Sequence, residues 1–201
     1  MTSIWESMFK DKKELWGFEP SPSTVLIKDF FIEKGIKNIL IPGIGYGRNA
    51  QIFIENDIKV TGIEISKTAI ELASNHFGSE LFIHHGSVTN MPFDKVQYDG
   101  IFCYALIHLL EPSEREKLIQ DCYNQLAPNG YMVFVVVSKA APMYGAGNFI
   151  SKDQYEVQKG LRLYFYDKTA IVSEFGKAGL IEITEINEGL PFYIVKCQKS
   201  E

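Results

Sequence analysis

The sequence predicts an α/β domain built on a mostly parallel sheet with helices on both faces. Short apolar, β-branched runs recur at Ile39–Pro42, Ile58–Ile63, Leu81–His84, Tyr98–Tyr104 and Tyr131–Val137, and segments of helical periodicity separate them. The run Tyr131–Val137 is apolar without a break, as a strand buried on both faces requires. Near the end, Ile181–Ile186 and Phe192–Gln198 are joined only by Asn187-Glu188-Gly189-Leu190-Pro191, a connection short enough to make an antiparallel hairpin.

Taken in order, residues 1–19 are aromatic-rich, and Trp5, Phe9, Trp16 and Phe18 read either as the core face of an N-terminal helix or as a flap over a ligand. A flap would exclude water from an electrophile and set a ring against a cation. Residues 20–35 read as a helix, with Pro22 near its start, Val25, Leu26, Phe30 and Phe31 on one face, and Gly35 as its stop. Asn38–Ser66, NILIPGIGYGRNAQIFIENDIKVTGIEIS, reads as strand, glycine turn, amphipathic helix and strand, ending in Glu64. Ser66 is an N-cap for a helix reaching about His76. The strand Leu81–His84 leads into a loop through Met91-Pro92, and Tyr98–Tyr104 is the fourth strand. A helix opens at Glu111 or Pro112 and ends near Ala127, followed by a turn at Pro128-Asn129-Gly130. Residues 138–160 read as irregular and polar, with Tyr144-Gly145-Ala146-Gly147 as a mobile centre; Lys168–Gly179 is a helix closed by glycine. No internal repeat or low-complexity segment interrupts this order, and the 201 residues suit one domain, 1–201.

With 46% hydrophobic and 22% charged residues and a net charge of −5, the composition is that of a soluble globular protein. Phosphate binding needs a concentrated basic face, so nucleic acid is not the expected partner. Cys103, Cys122 and Cys197 are odd in number and widely spaced, which argues against a disulfide framework and against a zinc site; no metal is expected. No apolar stretch reaches membrane-spanning length and no secretory signal is visible, so the expected compartment is the cytoplasm, with no membrane partner.

The chemistry concentrates in the glycine turn. Glycines directly after a strand let the backbone turn sharply and approach a ligand where a Cβ would clash. Glu64 follows Gly47 by 17 residues, close to the roughly 20-residue spacing at which an acid grips ribose hydroxyls in dinucleotide-binding folds. The spacing is GxGxG followed by Arg48, not GxGxxG, and no GK[ST] follows. The expected ligand therefore contains a ribose without needing a pyrophosphate, which favours S-adenosylmethionine over a nicotinamide dinucleotide.

These residues resemble the class I S-adenosylmethionine-dependent methyltransferases over nearly the whole chain. The resemblance is carried by Ile39–Gly47, Glu64, Gly86-Ser87-Val88 with Met91-Pro92-Phe93, Tyr98-Asp99 with Leu106-Ile107-His108-Leu109, and Leu126–Tyr131. Gly47-Arg48-Asn49 is similar to the GRN of tellurite-resistance-type methyltransferases, and Ile41-Pro42-Gly43 with Gly62–Ser66 to thiopurine and halide/thiol methyltransferases. No NPPY signature of amino-methylating nucleic-acid enzymes is present. The resemblance implies a Rossmann-like three-layer sandwich on a mostly parallel seven-stranded sheet whose last strand is antiparallel. It also implies an N-terminal flap and helix over residues 1–35, an acceptor-side insert over 138–166, and methyl transfer to a small-molecule acceptor such as a thiol or other soft nucleophile.

Its cofactor set would comprise Gly43, Gly45, Gly47, Arg48 and Asn49 of the turn, with Glu64 accepting both ribose hydroxyls and Ile65 packing on the adenine. Ser87 and Val88 would flank the base, Cys103 and Tyr104 would lie near the sulfonium and amino acid tail, and Trp16 would belong to the flap. Two positions depart from the family pattern. Ile41 stands where an acid usually precedes the first glycine by two residues, and Ser87 where an aspartate usually follows Gly86.

Methyl transfer from a sulfonium is an in-line displacement driven by positioning, and a thiolate acceptor needs no protein base. If a base were required, His108, His85, Tyr144 and Tyr166 are the titratable residues to consider, His108 reading first as structural. His84 and His85 are strand neighbours facing opposite ways and make a poor metal pair. Tyr155, Arg162, Tyr164 and Tyr166 alternate along an extended segment and read as lining of an acceptor pocket, with Arg162 favouring an anionic acceptor. Two other readings remain: a non-catalytic cofactor-binding sensor of the same fold, and a nicotinamide-dependent reductase, against which the GxGxG spacing and the closing hairpin speak.

Overall fold

The computed structural model describes residues 2–12 and 17–201. The sheet has seven strands in the order β3-β2-β1-β4-β5-β10-β9. They are β1 (Asn38–Pro42), β2 (Lys59–Glu64), β3 (Phe82–His85), β4 (Tyr98–Tyr104), β5 (Leu126–Val137), β9 (Leu180–Asn187) and β10 (Pro191–Gln198). Strands β1 to β5 run parallel, and β10 lies antiparallel to both β5 and β9. The expected seven-stranded, mostly parallel sheet with one reversed strand is what folds.

Side chains alternate across a strand, so each central strand feeds two cores. Ile39, Ile41, Phe102, Val133 and Val135 meet Ile27 and Phe31 of α2 (Pro22–Glu33) and Phe53 of α3 (Gln51–Ile54) on one face. Leu40, Ile101, Cys103, Met132 and Phe134 meet Leu118 and Cys122 of α5 (Pro112–Gln125) and Phe175 of α6 (Lys168–Phe175) on the other. Burying an aliphatic or aromatic side chain of this kind contributes about 1.5–3 kcal/mol. Helix α1 (Thr2–Lys12) packs against α4 (Lys67–Phe77), which Ser66 caps by accepting the Ala69 N–H at 3.2 Å.

Three local expectations give way. The amphipathic segment after the glycines forms only the four-residue α3, because residues 43–50 are used by successive turns. The turn at Pro128-Asn129-Gly130 lies within β5 instead of before it; Asn129 takes φ 63° there, and the β4–β5 register shifts between Tyr98 and Gly100. The irregular segment contains a small antiparallel sheet of β6 (Asn148–Ser151), β7 (Gln154–Gln158) and β8 (Leu161–Tyr164). Its turns are made by Asp153 and Gly160 at φ 63° and 79°, and its strands are too short and polar to stand out as apolar runs.

Candidate functional site

A cavity of about 490 Å³ opens at the carboxyl ends of β1, β2 and β4, the crevice where open α/β sheets bind ligands. The glycine turn forms one wall. Gly43 and Gly45 sit at φ 69° and 60°, in the left-handed region that a side chain disfavours. The N–H groups of Gly43 and Ile44 both reach the Ile63 carbonyl, at 2.8 and 3.1 Å, strapping the turn to β2.

Glu64 ends β2 and is 6% exposed, so its carboxylate is nearly removed from water. Oε1 accepts the N–H groups of Ile65 and Ser66, each at 2.8 Å, and Oε2 accepts that of Gly45 at 2.9 Å. Burial raises its pKa above the usual carboxylate value, and the three N–H groups oppose that rise. A carboxylate offers roughly four acceptor positions. Three are taken by backbone, which leaves one, on Oε2, for a ligand hydroxyl in place of the two the sequence suggested.

Tyr104, Glu188, Arg48 and the start of α2 also line the cavity. Tyr104 Oη donates to Glu188 at 3.0 Å, and Glu188 also accepts the Ser23 hydroxyl and N–H at 3.1 and 2.9 Å. Burial first, and the Glu188 carboxylate second, hold the Tyr104 phenol well above its ordinary pKa. Arg48 Nε donates to the Glu19 carbonyl at 2.6 Å, and Asn49 Oδ1 accepts the Ser21 N–H at 3.1 Å. Trp5 and Phe9 of α1 close one side, Phe9 lying edge-on to Tyr46 at 6.0 Å between ring centres.

Of the residues singled out from sequence, Gly43, Gly45, Arg48, Asn49, Glu64, Ile65, Ser87, Val88 and Tyr104 line this cavity. Gly47 and Cys103 do not. A Cβ on Gly47 would come within 2.4 Å of the Phe77 ring, so that glycine serves packing. Cys103 is fully buried in the α5-side core, because its neighbour Tyr104 takes the cavity side of β4. Trp16 falls outside the described residues. Ser87 caps a short turn by accepting the Thr89 N–H at 3.3 Å.

The expected acceptor lining does not form. Tyr155 packs among Tyr144, Phe149 and Phe165, and Arg162 lies 3.6 Å from Glu111. Tyr164 lies under the Arg115 guanidinium at 3.9 Å, and Tyr166 is buried and donates to Glu174 at 2.8 Å. The base candidates are engaged elsewhere too. His108 Nδ1 accepts the Val137 N–H at 3.3 Å, His85 Nε2 lies 3.3 Å from the Ile65 carbonyl, and Tyr144 donates to Asp153 at 2.8 Å. His84 contacts Asp94 at 2.7 Å, and among the described residues no three His, Cys, Asp or Glu side chains converge as a metal site.

Sequence reasoning missed Glu188, Phe192 and Leu190, which reach the cavity from the β9–β10 hairpin, and Leu106, which faces Gly43. The hairpin connection reads locally as an ordinary turn. Trp5 carried a signal as one of the aromatic residues of the N-terminal segment.

Comparison with known proteins agrees with this geometry. The family profile described as a methyltransferase domain matches residues 39–130. The tRNA N(3)-methylcytidine methyltransferase Mettl2 of Drosophila melanogaster is 23% identical over 158 residues, 74% of this chain and 47% of its own length. Thiocyanate methyltransferase 1 of Brassica oleracea is 25% identical over 137 residues, 64% and 59% of the two chains. The probable thiol methyltransferase 2 of Arabidopsis thaliana is 26% identical over 160 residues, 76% and 69%. The chain thus spans about half the length of the first two of these curated relatives. Among solved structures, Burkholderia thailandensis 1,6-didemethyltoxoflavin-N1-methyltransferase, with bound 1,6-didemethyltoxoflavin and S-adenosylhomocysteine, superposes with a TM-score of 0.75 at 14% identity, over 100% of this chain and 87% of that one. The strand order with its single reversed strand, the glycine turn facing Glu64, and these matches make the chain similar to the class I S-adenosylmethionine-dependent methyltransferases.

Proposed function

We propose that the protein binds S-adenosylmethionine in the cavity and transfers its methyl group to a small-molecule acceptor, a thiol or similar soft nucleophile. One observation carries the reading: a single cavity joins the Gly43–Gly45 turn, the buried Glu64 carboxylate and the apolar Ile65 and Val88. This donor set fits the cofactor's nucleoside. The open acceptor position on Glu64 Oε2 would take a ribose hydroxyl, Ile65 and Val88 would cover the faces of the adenine, and Ser87 would meet its edge. The bound cofactor supplies an electrophilic methyl group on a sulfonium. The chain's own contribution is to hold nucleophile and methyl in line and to exclude water, with Trp5 and Phe9 covering the site.

A soft acceptor is supported by the lining itself. Among the described residues no histidine or cysteine borders the cavity, and a thiolate reacts without a protein base. The thiol and thiocyanate methyltransferases among the relatives support the same acceptor class. A net charge of −5 argues against nucleic acid as the partner. The reading treats 1–201 as one domain, with α1 as the flap and 138–166 as an insert that reaches the cavity indirectly, through β8 against the 107–109 turn. Three buried free cysteines suit a reducing compartment, hence the cytoplasm; no helix among the described residues is long and apolar enough to cross a membrane.

Calorimetric titration with S-adenosylmethionine, S-adenosylhomocysteine and NADH, followed by assay of S-adenosylhomocysteine release with a panel of thiols, tests the proposal. Binding of the first two ligands but not NADH, with turnover on at least one thiol, is expected. Binding without turnover on any small acceptor would favour the non-catalytic sensor, and failure to bind either sulfur nucleoside would overturn the cofactor assignment.

A further inference from the structure

Among the described residues, none of 138–166 lines the cavity, yet one buried side chain ties that insert to the cavity wall. Arg115, in the first turn of α5, is 5% exposed. Its guanidinium meets three groups at once. Nε and Nη2 donate to Glu174 of α6 at 3.0 and 2.9 Å, and Nη1 donates to the Leu110 carbonyl at 3.1 Å. Its plane lies over the Tyr164 ring of β8, 3.9 Å from the ring centre. Tyr166, also of the insert, donates to the second oxygen of Glu174 at 2.8 Å.

Leu110 lines the cavity together with Leu106 and Leu109. This stretch has few restraints of its own. It starts from Ala105 at φ 50°, a left-handed conformation that a Cβ disfavours. It continues as a single turn closed by Leu109 N–H to the Leu106 carbonyl at 2.9 Å and Leu110 N–H to the Ile107 carbonyl at 3.1 Å. A planar guanidinium can grip a carboxylate along one edge, reach a carbonyl with its remaining nitrogen and stack on a ring; a lysine ammonium cannot do all three. We propose that Arg115 is a positioning residue for methyl transfer, fixing the Leu106–Leu110 wall to α6 and to the insert and so setting which thiols the wall accepts. The proposal rests on the methyltransferase reading. It gives the insert a part in acceptor choice without contact with the acceptor.

The test compares the wild type with Arg115→Lys, with the double variant Arg115→Met/Glu174→Met, and with Tyr166→Phe. The double variant removes the ion pair without stranding a buried charge, so it tests the role even where the lysine variant fails to fold. Tyr166→Phe weakens the same network and leaves all three guanidinium contacts in place. Each protein is titrated with S-adenosylhomocysteine, assayed with ethanethiol and thiophenol, and followed by hydrogen exchange at the Leu109 and Leu110 amides. Both Arg115 variants are expected to lose about tenfold or more in kcat/KM for thiophenol and less for ethanethiol, which needs less of the wall, with S-adenosylhomocysteine affinity retained. Tyr166→Phe should unfold at lower urea while keeping wild-type kinetics. Wild-type kinetics in the Arg115 variants, or the same kinetic loss in Tyr166→Phe, would overturn the role. A wild type that turns over neither thiol would count against the transfer reading instead, and hydrogen exchange would then decide. Faster exchange of the two amides in the Arg115 variants alone upholds the pinned wall, and equal exchange in all four proteins refutes it.

Discussion

At the scale of the residue, Glu64 shows how a binding group is prepared before its ligand arrives. Its side chain is held by three backbone N–H groups from the glycine turn and from the residues that lead into α4. The rotamer is therefore fixed and the charge partly compensated, yet burial still raises the pKa. The sign follows for both stability and binding. A raised carboxyl pKa means that the fold favours the protonated form, so Glu64's contribution to stability is present below its ordinary pKa of 4.5 and is lost as pH rises through the folded value. A ribose hydroxyl is held better by the ionised form. Affinity for S-adenosylhomocysteine is therefore expected to climb with pH above 4.5, while the unliganded protein loses part of its stability over the same interval. Glu64→Gln should flatten the binding profile and lower affinity by roughly tenfold to a hundredfold, the worth of a charge-assisted hydrogen bond of about 1.5–3 kcal/mol. Calorimetry from pH 5 to 8 checks this; a variant with the wild-type pH profile would remove Glu64 from the ligand's contacts.

Among the elements, α1 packs on α4, outside the sheet. Glu6 accepts the Ser66 hydroxyl at 2.6 Å and the Thr68 hydroxyl at 2.8 Å, and these bonds lower its pKa to about 2. Phe9 is buried against Tyr46, and Trp5 faces the cavity. The helix thus docks on the start of α4, one turn past Glu64, and adds nothing to the seven-stranded sheet. Deleting residues 1–12 is expected to preserve the far-ultraviolet circular dichroism while weakening S-adenosylhomocysteine binding by about tenfold, the loss of one aromatic wall. Unchanged affinity in the truncated protein would show that α1 packs beside the site without covering it. The sheet and the start of α4 were legible in the sequence because β-branched runs and the Ser66 cap are local signals. The small sheet of β6, β7 and β8 was not, since its strands are four or five residues long and mix polar with apolar side chains. Glu188 was illegible for another reason: its contact with Ser23 spans 165 residues, and nothing near either residue announces the other. Cys103 was misplaced by one step of strand alternation, which sends Tyr104 to the cavity and Cys103 to the core.

Over the whole molecule, two cores flank one sheet, and the loop after β4 is tied to the end of β5 by a buried histidine. His108 follows β4, is 5% exposed, and accepts the Val137 N–H at the end of β5. It can do so only while Nδ1 is unprotonated, and burial lowers its pKa from 6.5 to about 3. A folded pKa depressed in this way gives stability that is fully present above 6.5 and lost as pH falls toward 3, because the unfolded chain takes up the proton first. The full loss amounts to roughly 4–5 kcal/mol at most, a large share of the 5–15 kcal/mol typical of a domain. Its onset separates it from the carboxylates: Glu6, Asp94 and Asp167 have lowered pKa values and lose their contributions only at more acidic pH. Glu64, with its raised pKa, works in the opposite direction. Urea unfolding at pH 7, 6 and 5 should therefore show the wild type weakening step by step over an interval in which most carboxylates remain ionised. His108→Gln keeps an oxygen acceptor for the Val137 N–H but carries no proton-binding nitrogen, and its stability should show no decline from pH 7 to 5, with Glu64 favouring a slight rise. Parallel decline of the two proteins would mean that His108 is not the group that couples the fold to acid.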